Sequence, residues 1–113
     1  DWHVASDSDW TELTVYLGGD TLAVDKIKSS SGWFEDSNGS NSSGFTGEPC
    51  GFCAVESFFN SGAFYQLEEV AYWWTSTPME GWRWRRTLSY NSVAIYRNWY
   101  DRADALSARC VRD

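Results

Sequence analysis

From Trp82 to Tyr90 the side chains alternate. Trp82, Trp84, Arg86, Leu88 and Tyr90 fall on one face, and Arg83, Arg85, Thr87 and Ser89 on the other. A period of two belongs to an extended strand with one face covered, and such a strand is not stable alone. The chain must supply neighbours, and three further segments have the composition for it. Tyr72-Trp73-Trp74-Thr75-Ser76-Thr77 is aromatic and β-prone, with Pro78 marking its end. Val93 to Trp99 continues the alternation, and Leu106 to Val111 closes the chain as a short strand.

The opening residues follow a different period. Ser6 offers an N-cap with Asp9 three residues on, and Trp10, Leu13, Tyr16 and Leu17 follow at helical spacing. Gly18-Gly19 stops the helix, and Asp7, Asp9 and Glu12 suit its dipole without needing a function. Leu22, Val24 and Ile27 mark a short element open to either helix or strand. Ser29 to Gly47 is rich in Ser, Gly and Asn, and its aromatic residues Trp33, Phe34 and Phe45 pin it as a long anchored loop. An N-terminal helix, long anchored loops and a C-terminal antiparallel sheet predict an α+β fold, and 113 residues predict a single domain over 1–113.

Composition narrows the partners. Eight Trp, six Tyr and six Phe serve both a compact core and a contact surface. The net charge is −7, and the only basic cluster is Arg83, Arg85 and Arg86, which excludes a nucleic-acid footprint and disfavours an anionic membrane surface. No apolar run approaches the roughly 18 residues of a membrane span, so no direct membrane insertion is expected within this chain. Cys50, Cys53 and Cys110 are an odd number, so at most one bridge closes within the chain.

Cys50-Gly51-Phe52-Cys53 is a C-x-x-C, but zinc needs four ligands, and a redox motif needs a helix N-terminus in a βαβ unit. These cysteines read as structural. His3, the only histidine, reads as a hydrogen-bonded structural residue beside Trp2 rather than a catalytic base. Carboxylate pairs such as Glu68-Glu69, or Asp101 with Asp104, are inevitable among sixteen acids and do not specify a glycosidase. Asp36, Asn38 and Asn41 offer oxygens without the spacing of a calcium loop. No cofactor, metal or catalytic residue is assigned. Arg86, Arg97 and Arg109 sit on predicted strands, and each calls for a carboxylate partner if buried.

Several motifs in order resemble a known family. Trp2-His3-Val4, Asp9-Trp10-Thr11-Glu12-Leu13 and Gly18-Gly19 resemble the opening of the Fibrobacter succinogenes major paralogous domain. Lys26-Ile27-Lys28, Gly32-Trp33 and Asn41-Ser42-Ser43-Gly44-Phe45 continue the pattern, and Trp73-Trp74-Thr75-Ser76-Thr77 matches its interior motif. Trp84-x-Arg86-x-Leu88-x-Tyr90, then Ile95, Arg97 and Ser107-Ala108-Arg109-Cys110-Val111-Arg112-Asp113, complete it. The resemblance implies a C-type-lectin-like fold, similar also to formylglycine-generating enzymes, in exported bacterial proteins that are often surface lipoproteins. It places the domain at a bacterial surface or outside the cell, with any lipid anchor ahead of Asp1. It also implies structural roles for Trp10, Trp33, Trp73, Trp74, Trp84, Arg86, Arg97, Arg109 and Cys110. The chain departs from the family where Glu48 to Cys53 replaces a Leu-Pro-Gly-Gly-Tyr-Arg segment and extra residues follow from Ala54 to Phe59. Many relatives carry a cysteine just before the Trp-His, suited to pair with the terminal cysteine; Cys110 is left without that partner or bonds Cys50 or Cys53. The enzyme reading weakens because Cys110 belongs to the terminal motif and no second cysteine lies near it in sequence.

Between the framework residues, relatives often carry Asn. Here the slots hold Trp82, Arg83, Arg85, Thr87, Ser89, Val93, Ala94, Tyr96, Asn98, Trp99, Tyr100, Asp101, Ala103 and Asp104. This scatter resembles the variable proteins of diversity-generating retroelements, which mutate template adenines. An AAC codon reaches Tyr, Ser, Asp, Ala, Val and Thr that way but not Trp, so Trp82 and Trp99 need other ancestral codons. The expectation is a non-enzymatic ligand-binding display domain for a protein or cell-surface partner, with a carbohydrate-binding lectin module as the alternative. Its binding residues are Trp82, Arg83, Arg85, Tyr96, Asn98, Trp99, Tyr100, Asp101 and Asp104, centred on Trp82, Tyr96, Trp99, Tyr100 and Asp101.

Overall fold

The computed structural model describes residues 1–54, 62–101 and 104–113; Ala103 and most of the extra residues after Ala54 lie outside them. Ser6 caps the first helix as expected. Its hydroxyl accepts the Asp9 N–H at 3.1 Å, and the Asp9 carboxylate accepts the Ser6 N–H at 2.8 Å. The helix that follows, α1 (Asp7–Tyr16), buries Asp7, Trp10 and Thr14 along one stripe that Leu17 continues. Tyr16, expected on that stripe, is 85% exposed, because the buried spacing runs through Thr14 and Leu17 instead.

Gly18 and Gly19, at φ 103° and 105°, turn the chain in a conformation that side chains resist. The ambiguous segment then forms a second helix, α2 (Asp20–Ile27), which buries Ala23 and Ile27 four residues apart. The long loop carries one 3₁₀ turn at Phe34–Asp36 and is anchored as its composition predicts. Trp33 is buried and donates its indole N–H to Ser29 Oγ at 3.1 Å and the Gly47 carbonyl at 3.2 Å. Phe45 lies beside Trp10 and Trp73, and Phe34 meets Tyr90 edge-on. Lys28 is buried beneath this loop, where it donates to the Ser37 and Tyr90 carbonyls and lies over the Trp33 ring. Burial lowers its pKa.

Among the described residues, strands pair into three sheets. The N-terminal strand β1 (Trp2–Val4) and the C-terminal β8 (Cys110–Arg112) form an antiparallel pair, as do β2 (Phe52–Cys53) and β3 (Phe64–Tyr65). The main sheet holds β4 (Val70–Met79), β5 (Trp82–Ser89), β6 (Tyr96–Asp101) and β7 (Ser107–Ala108), in the order β6-β5-β4-β7. Its pairs are antiparallel except β4 with β7. The helices cover one face, and the core of Trp10, Leu17, Ala23, Ile27, Trp33, Ala71, Trp73, Leu88 and Ile95 lies between. The fold is α+β.

Three strand boundaries differ from the sequence reading. Pro78 does not end β4 but sits within it, beyond a register shift after Trp74. There β7 no longer pairs with β4, so its ladder does not call on the missing N–H. Val93 and Ala94 precede β6, because Ile95 donates its N–H to the Asp20 carbonyl and ties the chain to α2. The closing segment is two strands in different sheets, and its chain crosses between them at Arg109, whose carbonyl accepts the Ala5 N–H at 2.7 Å.

Candidate functional site

Because β5 is flanked on both sides, the register of three strands sorts the side chains into two faces. Toward the helices, Ala71 pairs with Leu88, Trp73 with Arg86, Arg86 with Arg97, and Trp84 with Trp99. On the outer face the ranks are Tyr72–Thr87–Tyr96, Trp74–Arg85–Asn98 and Arg83–Tyr100. The sequence-predicted binding set is therefore not one patch. Arg83, Arg85, Tyr96, Asn98 and Tyr100 share the outer face, whereas Trp82 and Trp99 belong to the opposite one, with Asp101 opposite Trp82 in the register. The expected centre of the set is divided by the strand pleat.

Toward the helices, charge is neutralised by a residue that the dipole argument passed over. Asp7 Oδ1 accepts from Arg86 Nη2 at 3.0 Å and its Oδ2 from Arg97 Nε at 2.7 Å. Arg86 Nη2 also donates to the Asp7 carbonyl and to Thr11 Oγ1, while its Nε has no partner among the described residues. Arg97, half-exposed, lies 3.6 Å over the Trp84 ring, and Trp84 meets Trp99 edge-on at 5.3 Å. The expected carboxylate partners of Arg86 and Arg97 are thus one shared group. Arg109 differs: it is exposed, lies 4.5 Å over Phe45, and has no ion pair among the described residues. Of the residues expected to be structural, Trp10, Trp33, Trp73 and Arg86 are buried and Trp74 and Trp84 half-buried, but Cys110 is exposed.

The outer face is built around Arg85. Its guanidinium carbon lies 4.7 Å over the Tyr72 ring and 4.3 Å over the Tyr100 ring, and its Nε donates to Asn98 Oδ1 at 2.9 Å. Burial lowers its pKa, but a guanidinium remains charged near neutral pH. Tyr72, which sequence reading treated only as strand, is held by a 2.6 Å hydrogen bond from its hydroxyl to Gln66 and by the edge-on ring of Phe52, and burial raises its pKa. Phe52 stacks in turn on Tyr65. Arg83 reaches the Ser76 carbonyl at 3.1 Å, and Trp74 donates its indole N–H to the carbonyl of Asp104, fixing that residue beside the face. Tyr72, Gln66, Phe52 and Tyr65 carry no motif, and only the pairing of β2–β3 beside β4 brings them here.

At the chain ends, His3 is clamped between two carboxylates, Asp113 through Nδ1 at 2.7 Å and Asp9 through Nε2 at 3.0 Å. The bond to Asp113, then that to Asp9, raises the imidazole above its ordinary 6.5. A raised folded pKa gives stability that is complete below the unfolded value and is lost as pH climbs through the folded one. Urea titrations between about pH 5 and 9 should therefore show the wild type losing stability upward from near 6.5, while His3→Gln stays level in that window. Parallel curves would refute the clamp. His3 also borders a cavity of about 660 Å³ floored by Trp10, Leu13, Phe45 and Val111.

The three cysteines are free. Cys110 pairs with Val4 in the β1–β8 register. Cys50 and Cys53 line a separate cavity of about 350 Å³ with Phe52, Phe64 and Leu106. Among the described residues no three metal-ligating side chains converge; Asn38 and Asn41 instead accept the Trp33 and Thr46 N–H groups. Among the described residues no helix is long and apolar enough to cross a membrane.

Fold and site together define an α+β domain that presents a rigid sheet face of tyrosines around a stacked arginine. The chain belongs to the Fibrobacter succinogenes major domain family, whose profile matches residues 1–112. Neither a curated protein nor a solved structure matches it significantly.

Proposed function

We propose that this is a non-enzymatic ligand-binding display domain of C-type-lectin-like fold, exported to a bacterial surface or secreted, and diversified by a retroelement. Its binding face is the outer face of β5 and β6, and its partner is a protein or cell-surface ligand. One observation carries this reading. Seven of the slots between the framework residues, Arg83, Arg85, Thr87, Ser89, Tyr96, Asn98 and Tyr100, share that outer face by register. The framework residues between them, Trp84, Arg86, Leu88 and Arg97, turn toward the helices.

Such a division lets the contact surface change without disturbing the core, since surface substitutions away from buried networks cost little. Tyrosines on a paired sheet also lose little conformational entropy on binding. Sequencing the 3′ end of the gene across the source population tests the reading. Adenine-derived substitutions should concentrate in the outer-face slots, with a near-copy template nearby and an unchanged inner framework. A uniform segment without a template, or variation spread evenly over both faces, would overturn it.

A further inference from the structure

We propose that the outer face takes an acidic segment of a protein partner, with a carboxylate bound by Arg85 and flanking apolar side chains seated on the row of rings beside it. The inference rests on the binding face proposed above and adds the chemistry of its ligand.

Charge is the first argument. The chain holds sixteen acids against nine Lys and Arg, so cations here should be neutralised readily. Arg86 and Arg97, on the helix side, share Asp7. Arg83 and Arg85, two positions apart on the outer face, make no ion pair among the described residues, although Asp104 lies near enough to Arg85 for its charge to be felt. Adjacent residues of one strand thus differ in the respect that matters: the Arg86 guanidinium is neutralised by a buried carboxylate, and that of Arg85 has no ion pair among the described residues.

Preorganisation is the second. Two tyrosine rings and the Asn98 bond fix the Arg85 plane. Its Nη groups donate to no protein acceptor among the described residues, which leaves one edge of the fork for a carboxylate. Partial burial strengthens such a bond by limiting the competition from water.

The shape of the surroundings selects a peptide over a sugar. Tyr65, Phe52, Tyr72, Arg85 and Tyr100 form a continuous series of contacts across β3, β2, β4, β5 and β6. The Tyr72 and Tyr100 rings already have Arg85 against a face, so they offer a pyranose less open stacking surface. Apolar side chains can still lie along the row and against the exposed Tyr96, which shares the outer face by register. β6 lies at the sheet edge, where an extended chain finds backbone donors and acceptors as well.

The test is an NMR titration of the isotope-labelled domain with three probes. These are a blocked hexapeptide alternating glutamate with leucine and phenylalanine, its glutamine isostere, and an oligoglucuronate. The glutamate peptide should shift the Arg85 Nε–Hε and Tyr100 ring signals and bind at least about tenfold tighter than its isostere. Arg85→Gln should remove that difference while leaving the rest of the spectrum folded, and Arg85→Lys should keep part of it. Equal binding of both peptides at this face overturns the acidic chemistry and leaves the binding face standing. Preferential binding of oligoglucuronate replaces the peptide with an acidic glycan. Failure of all three probes overturns the acidic segment, while the population sequencing decides the binding face separately.

Discussion

Asp7→Ala should cost about 3–5 kcal/mol, because it leaves a buried guanidinium without its anion. Arg86 is 2% exposed and takes its only carboxylate among the described residues from Asp7. The Arg86 Nε already has no partner among the described residues, so losing the carboxylate leaves a buried guanidinium still further short of acceptors. Arg97 loses the same group, but its half-exposed side chain can rehydrate and contributes less. For a chain of this length the melting temperature should fall by on the order of 10–20 °C. Adding Arg86→Met should recover part of the loss, since the uncompensated charge then disappears. Thermal or urea denaturation of the two variants checks this, and a loss below about 1 kcal/mol for Asp7→Ala would show that the pair is not what holds α1 to β5.

Trp10→Ala is the second large effect, expected at about 3–5 kcal/mol. Trp10 is 1% exposed and sits 5.4 Å from the Phe45 ring and 5.2 Å from Trp73, so it joins α1, the long loop and β4 at one point. Truncation opens a hole bounded by two rings whose own backbones are fixed, and collapse into it is limited. Trp10→Phe should be far milder, because the indole N–H it removes is buried without a partner among the described residues. Equilibrium unfolding of the pair separates lost volume from lost hydrogen bonding. Similar losses for both substitutions would contradict the packing account.

What could be read in advance was local. The Ser6–Asp9 box and the two glycines set both ends of α1 through bonds within a few residues. The alternation from Trp82 placed Arg86 and Leu88 inward and Arg83 and Arg85 outward, because a strand has a period of two whatever surrounds it. Trp33 and Phe45 marked the loop as anchored, since large rings in a polar stretch have to be buried somewhere.

The candidate site was legible only in part, and for the same reason. Alternation orders residues within one strand but does not relate two strands: Trp99 and Tyr100, consecutive on β6, point to opposite faces, and only the β5–β6 register sets Trp99 against Trp84 and Tyr100 against Arg83. Asp7 read as a helix-dipole residue because its arginines lie 79 and 90 positions away. Tyr72 and Phe52 acquired a role only when β2 and β3 came to rest beside β4. The sequence by itself determined periods, caps and the inward set of β5, all of which depend on contacts within a few residues. The tertiary structure decided which strands are neighbours and in what register. Those choices settle the Asp7 pairings and the Arg85 cradle, because a shift of one residue would exchange the two faces.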